Sequence, residues 1–312
     1  MSRGGLTKMT IQLRILETPE EIVLVEELQR QVWPGSETEI VPAHVLLTAI
    51  HNGGLVIGAF SDDREPGVQS LVGFVFGFPG LYFTPDGPRP KHCSHMLGVL
   101  PEYRDLGVGF TLKRAQWQMV RHLGLDRITW TYDPLLSRNA YLNITKLGAV
   151  CNTYRRNEYG QLRDGINMGL PTDRFQVDWW VNSQRVNHRL SRRARQPLDL
   201  AHYFAGGAEV INPTEIGTDG LPRPAAMDHY EPLPRSADPG RPEVAPLLLV
   251  EIPADFMELK AQNFDLALQW RLHARNLFED LFNRGYLVTD FVFLKGSLPR
   301  SFYVLSFGES TL

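Results

Sequence analysis

Apolar and polar residues alternate from Ile11 to Leu16, a period of two that predicts a first strand. Thr18-Pro19-Glu20-Glu21 follows, with a capping hydroxyl, a proline suited to the first helical position and early acidic groups. A helix is expected from there to about Val32, stopped by Trp33-Pro34-Gly35. A second helix fits Ala43 to Asn52, and Asn52-Gly53-Gly54 turns the chain into a strand at Leu55 to Phe60. The charged, glycine- and proline-containing stretch Ser61 to Gly67 reads as a hairpin loop before a strand at Gln69 to Phe78. Pro79 to Pro90 holds four prolines and is expected to be a loop long enough to flank a site. Ser94 to Val99 predicts a strand, Phe110 to Leu123 an amphipathic helix and Arg127 to Tyr132 another strand. Arg138 to Gly148 is a short helix, Ala149 to Arg156 a strand and Gln176 to Val181 a short strand.

The pattern then changes. Ser183 to Gln196 carries Arg185, Arg189, Arg192, Arg193 and Arg195, which read as a solvated helix face. Pro213 to Pro246 contains eight prolines and little apolar periodicity, so an irregular connection is expected. Order returns with a strand at Leu247 to Ile252. Asn263 to Arg284 is an amphipathic helix with Phe264, Leu268, Leu272, Leu277 and Leu281 on its stripe, ended by Gly285. Strands fit Tyr286 to Leu294 and Phe302 to Phe307. This strand-helix-strand-strand order echoes the strand-helix-strand order around Arg104. Three segments follow from these shifts: a domain over 10–182, a connection over 183–246 and an extension over 247–312.

Composition narrows the class. The 312 residues suffice for one large or two ordinary domains with real cores. A net charge of −3 argues against nucleic acid as the main partner. No apolar run reaches the roughly 18 residues that span a membrane, and Met1 to Lys8 lacks the apolar core of a signal peptide. Cys93 and Cys151 are the only cysteines, which points to a reducing compartment, with the cytoplasm as the expectation.

The chemistry concentrates after Val99. Arg104-Asp105-Leu106-Gly107-Val108-Gly109 sits between a strand and a helix. Two glycines at a helix mouth let the backbone turn tightly and point N–H groups outward, where the helix dipole adds to a seat for phosphate oxygens. Leu112 replaces the third glycine of a dinucleotide fingerprint, and the Gly-Lys-Ser/Thr of a Walker loop is absent. Arg-x-x-Gly-x-Gly with these flanks resembles the pyrophosphate loop of the Gcn5-related N-acetyltransferase (GNAT) superfamily, over roughly residues 10–180. That resemblance implies an α/β fold: a mixed, mostly antiparallel central sheet with a splayed strand pair, the acyl-CoA N-acyltransferase fold, plus a C-terminal α/β extension. It also implies an acyl-CoA, such as acetyl-CoA, as cosubstrate and no metal. A bulge in the strand Ser94 to Val99 would splay it from Arg127 to Tyr132. Leu97 and Val99 would then offer backbone groups to the pantetheine arm. Arg104, Asp105, Leu106, Gly107, Val108, Gly109 and Phe110 would hold the pyrophosphate, and Asn139 and Asn143 lie where they could touch the coenzyme.

Acyl transfer to an amine needs positioning, deprotonation of the amine and stabilisation of the leaving thiolate. Strict alternation places Cys93, His95, Leu97 and Val99 on one face, which aims His95 at the coenzyme cleft as the candidate base. Arylalkylamine acetyltransferases look similar in carrying a histidine there. The alternative is a structural histidine, and a metal reading of His92-Cys93-x-His95 lacks a second ligand pair with zinc spacing. The superfamily's tyrosine acid falls at Ile144, so the phenol is absent; water, Tyr132, Tyr154 or Tyr159 must serve instead. Further resemblance, in Trp130 to Leu135 and Leu170 to Phe175, is to a branch of the superfamily in which some members are associated with N-acylamino acid metabolism. Asp173 and Arg174 would there clamp an amino acid's ammonium and carboxylate, against the alternative of a structural ion pair.

The resulting expectation is an N-acyltransferase moving an acetyl or succinyl group to a small amine, with an amino acid as one candidate acceptor. The rivals are a catalytically degenerate acyl-CoA sensor or scaffold and a protein lysine acetyltransferase. The assembly state stays open, a homodimer included.

Overall fold

A computed structural model describes residues 10–35, 37–64, 70–160, 168–191, 197–224 and 247–308. The chain divides into two compact units, and it passes from the first to the second between Thr129 and Trp130. The described residues of 130–160 and 168–182 fall in the second unit with the C-terminal strands.

The first unit begins with β1 (Ile11–Ile15) and α1 (Pro19–Val32). The capping box forms as the sequence indicates: Glu21 N donates to Thr18 Oγ1 at 3.3 Å, and Thr18 N donates to Glu21 Oε2 at 3.4 Å. Then come α2 (Ala43–His51), β2 (Leu55–Ser61), β3 (Leu71–Thr84), β4 (Gly87–Val99), α3 (Val108–His122) and β5 (Arg127–Tyr132). Strands β1 to β4 are antiparallel neighbours in chain order. The parallel ladder from β4 to β5 pairs His92 with Ile128 and Cys93 with Thr129. Every residue of β2 is buried, and the core gathers Leu16, Val25, Leu28, Val56, Phe74, Val75 and Leu112.

The proline-rich stretch Pro79 to Pro90 is not a loop. β3 and β4 stay in register out to Thr84 and Gly87, and the chain turns through Pro85 and Asp86 alone. Beyond Gly77, β3 has no register partner in β2, so that half of the hairpin is a two-stranded ribbon. A ribbon edge tolerates Pro79, Pro88 and Pro90 because a missing N–H there breaks no ladder.

The second unit continues with α4 (Ser137–Ala140), which runs into a π-helical turn at Tyr141–Lys146. It goes on through β6 (Val150–Arg155), β7 (Arg174–Trp180), α5 (Gln184–Leu190), α6 (Leu200–Ala205) and β8 (Glu209–Val210). The part of the proline-rich connection that is described holds a two-stranded sheet, β9 (Glu215–Ile216) and β10 (Pro222–Arg223); its remainder, 225–246, lies outside the described residues. The chain closes with β11 (Leu247–Ile252), α7 (Phe256–Gln262), α8 (Phe264–Asn283), β12 (Tyr286–Leu294) and β13 (Arg300–Phe307).

The strand order of this unit is β5-β7-β6-β12-β13-β11-β8. Two stretches share one topology, β5-α4-β6-β7 and β11-α7-α8-β12-β13. In each, the last strand inserts between the first two, and the two copies meet where β6 pairs antiparallel with β12 at Cys151 and Val288. The echo in the C-terminal half is therefore of residues 127–180, not of the segment around Arg104.

Helix α8 buries Leu266, Trp270, Arg271, His273, Ala274, Leu277, Phe278 and Leu281. Phe264 and Leu272, read from the sequence as stripe positions, are exposed. The stripe is displaced because two charged or titratable side chains, Arg271 and His273, lie on the buried face. Arg185 and Arg189 are likewise not solvated: Arg185 donates to the carbonyls of Gly148 and Thr289, and Arg189 to Asp290. Arg192, Arg193 and Arg195 lie outside the described residues.

Candidate functional site

The segment after β4 turns twice through left-handed backbone. Asp105 has φ 64° and Gly107 has φ 83°. Gly107 is the N-cap of α3, and no side chain caps that helix. Thr111 N makes the first helical bond, to Gly107 O at 3.0 Å, so the N–H groups of Val108, Gly109 and Phe110 precede the helical ladder. A Cβ built on Gly107 would meet nothing within 4 Å. Leu106 is exposed and Val108 is buried, which anchors the helix while the turn faces solvent. Arg104 does not reach outward with its whole guanidinium: its Nε donates to Val99 O at 3.1 Å and ties the turn back to β4.

Strand β4 carries the bulge that the resemblance implies. Phe76 pairs with Met96 and Gly77 with Ser94, leaving His95 as the extra residue. The alternation assumed for Cys93, His95, Leu97 and Val99 therefore breaks. Val99 and Gly73 are register partners, and a Cβ on Gly73 would lie 3.3 Å from both Val99 Cγ2 and Leu112 Cδ1, so Val99 faces α3. Leu97, two residues earlier, shares that face. Ser94 also faces α3, through Gln116. His95 faces the other way, with its ring 6.1 Å from that of Phe76 and 5.8 Å from that of Phe78. The residue is exposed by area, while desolvation of the ring beside the two phenylalanines lowers its pKa below the ordinary 6.5. It is neutral at pH 7 and able to accept a proton. His92, buried on the α3 side of the strand, cannot share an ion with His95.

Phe78, which packs on His95, also lines a groove of about 470 Å³ together with Val45, Thr48, Ala49, Pro79, His44 and Asn52. Among the described residues its walls carry no carboxylate and no lysine or arginine.

The remaining candidates lie in the second unit. Asn143 is buried in the π-helical turn and Asn139 is half-buried on α4. Ile144, at the place of the absent phenol, is fully buried. Tyr132 is locked against Tyr303, hydroxyl to hydroxyl at 3.2 Å. Tyr154 donates to Asp173 at 2.9 Å, and burial with that carboxylate pushes its phenol far up. Tyr159 alone of the three is exposed, its hydroxyl 2.6 Å from Thr131 Oγ1.

Asp173 and Arg174 are engaged within the fold. Asp173 is buried and accepts from Arg275 Nε and Nη2 at 2.8 and 2.9 Å, from Asn157 N at 2.9 Å and from Tyr154. These donors hold its carboxyl below the ordinary value although burial opposes them. Arg174 lies 3.8 Å from Asp133, which also pairs with the buried Arg271. The carboxylate and guanidinium expected to clamp an amino acid are spent on structure.

The order strand, bulge, Arg-x-x-Gly-x-Gly turn and helix, followed by a parallel fifth strand, is that of the acyl-CoA N-acyltransferase fold. No family model matches the sequence, and no curated protein matches it. Among solved structures the chain is similar to NAA60 of Arabidopsis thaliana in complex with acetyl-CoA, at 15% identity and a TM-score of 0.44, over 55% of this chain and 99% of that one. It is similar to the ribosomal-protein-S18-alanine N-acetyltransferase of Escherichia coli at 14% identity and a TM-score of 0.41, over 56% of this chain and 96% of that one. A third likeness is to the IAA acetyltransferase of Bacillus cereus, at 13% identity and a TM-score of 0.37, over 55% and 99%. Among the described residues no helix is long and apolar enough to cross a membrane.

Proposed function

We propose that this chain is an acyl-CoA-dependent N-acyltransferase whose first unit seats the coenzyme at Arg104 to Phe110. The observation that carries the reading is the uncapped start of α3 behind a left-handed glycine. Its first amides and dipole suit a pyrophosphate, and a Cβ on Gly107 would meet nothing within 4 Å. The backbone of β4 at Leu97 and Val99 would receive the pantetheine arm beside the bulge. His95 would take the proton from the acceptor's ammonium, directly or through water. The amine then attacks the thioester carbonyl, the C–N bond forms and the C–S bond breaks, and the thiolate leaves with a proton from water or a phenol.

The acceptor is an amine with an apolar body. The groove beside His95 offers apolar contacts and no fixed charge, and the Asp173–Arg174 pair is already committed. The cytoplasm, where acyl-CoA is abundant, suits this reading. A second reading, a coenzyme sensor without turnover, draws support from Ile144 in place of the phenol. Calorimetry with coenzyme A, together with thiol release from acetyl-CoA across a panel of hydrophobic amines and amino acids, separates the two. Binding with release supports the enzyme, binding without release supports the sensor, and absence of binding refutes both.

A further inference from the structure

Four polar side chains lie buried between α3 and β4, on the strand face opposite His95. Lys113 Nζ donates to Ser94 Oγ at 2.9 Å and to Gln116 Oε1 at 3.1 Å. Ser94 Oγ donates to the same Gln116 oxygen at 2.8 Å. With its oxygen so used, Gln116 presents Nε2 to His92 Nε2 at 3.2 Å, which places the proton of His92 on Nδ1. All four residues are buried, and His92 and Gln116 fully so. The neighbouring strand makes room for them: a Cβ on Gly77 would lie 2.2 Å from His92 Nε2. A polar quartet of this kind is stable only when its geometry is kept, because a buried polar group that loses its partner costs about 1–3 kcal/mol.

The quartet sits at the bulge itself. Ser94 is the last β4 residue in the first register and Met96 the first in the shifted one. Apolar packing alone would not choose between registers here, since Met96 and Leu97 are both partly buried against the core. Ser94 must face α3 to reach Lys113 and Gln116, and Val99 must face α3 to pack on Leu112. An extra residue between them satisfies both demands.

We propose that Ser94, Lys113, Gln116 and His92 are positioning residues that pin the bulge, and so hold His95 between Phe76 and Phe78 on the face where the acceptor amine would enter. The role in acyl transfer rests on the function proposed above; the pinning of His95 does not. Loss of the pin lets β4 slide toward regular register and turns the imidazole out of its aromatic niche.

The test uses the full chain and two readouts. Ser94→Ala removes the hydroxyl that Lys113 and Gln116 share, and Lys113→Met keeps the stem while removing the amine. NMR titration of the His95 imidazole needs no turnover. In both variants its midpoint is expected to rise toward the free value of about 6.5 and acyl transfer to slow about tenfold. Ser94→Thr, which keeps the hydroxyl, is expected to restore both. Unchanged His95 titration in folded Ser94→Ala and Lys113→Met, with only a lower melting temperature, overturns the proposal. If the wild-type chain binds no coenzyme A, the functional reading fails and the imidazole titration still decides the positioning claim.

Discussion

Gly107 is the position where the seat can be probed with least ambiguity. Its φ of 83° and ψ of 4° place it in the left-handed region, and a Cβ there touches no protein atom within 4 Å. Gly107→Ala therefore carries a backbone cost and no packing cost. An L-residue in that conformation costs about 1–2 kcal/mol. Spread over a unit of this size, that loss lowers the melting temperature by about 3–8 °C. Asparagine tolerates the left-handed region better, so Gly107→Asn is expected to lie between the wild type and Gly107→Ala in stability. Binding behaves differently. On the proposed seat a side chain at position 107 would crowd an anion held by the Val108, Gly109 and Phe110 amides, so both variants are expected to lose at least tenfold in coenzyme A affinity, about 1.4 kcal/mol. Scanning calorimetry and titration calorimetry on the same samples separate the two effects. Wild-type affinity in a folded Gly107→Asn protein refutes the seat, and unchanged stability in Gly107→Ala refutes the strain argument.

Further expectations concern single groups. Gly77→Ala should destabilise by about 1–3 kcal/mol in denaturant titration, since its Cβ would meet Cys93 O at 2.6 Å as well as His92, and backbone cannot step aside. His92 and His273 are held neutral by burial, each lowered to about 4. The unfolded chain binds their protons first as pH falls from about 6.5, so stability drops between 6.5 and about 4 by up to roughly 3 kcal/mol per group; His92→Gln should flatten that slope by one proton. The acid limb of the pH–rate profile should lie below 6.5, because His95 is lowered by desolvation, and His95→Gln should abolish it along with most turnover. Asp173→Ala leaves Arg275 and Tyr154 without their shared acceptor and should cost about 3–5 kcal/mol in thermal denaturation, with coenzyme A affinity of the folded fraction unchanged.

Local signals carried well from sequence to structure. Thr18-Pro19-Glu20-Glu21 started a helix, and Asn263 caps α8 by accepting from Leu266 N at 3.0 Å. The Arg104 to Gly109 turn lies between strand and helix as its composition implies, because glycine, chain reversal and helix start are all encoded within a few residues. Contextual features did not carry. The ribbon formed by Pro79 to Pro90 depends on which edges of β3 and β4 lack partners, and no window of sequence shows that. The bulge at His95 depends on Lys113 and Gln116, some twenty residues onward, and a count by twos cannot contain it. On α8 the expected stripe holds at Leu277 and Leu281 and fails at Phe264 and Leu272. Arg271 and His273 take buried places beside Asp133 and Asn212, distant in the chain, and no local window shows that.

The start of α3 also bears on the proposed coenzyme seat. α1, α7 and α8 each begin with a side-chain cap from Thr18, Asp255 or Asn263. Such a cap is typically worth about 1 kcal/mol over alanine but only a few tenths over glycine, and α3, a helix of 15 residues, begins at Gly107 without one. The same turn holds Asp105, a non-glycine residue, in left-handed backbone, a further cost of about 1 kcal/mol even for a residue that tolerates it. Roughly 1 kcal/mol of available stability is thus forgone within three residues, and no packing contact at Gly107 compensates. On the proposed reading, a bound anion would supply what the missing cap does not, since its oxygens would satisfy the orphaned amides and its charge would meet the helix dipole. Ligand binding should therefore stabilise the first unit through α3 itself, with the amides of Val108 to Phe110 gaining most of the new protection from hydrogen exchange.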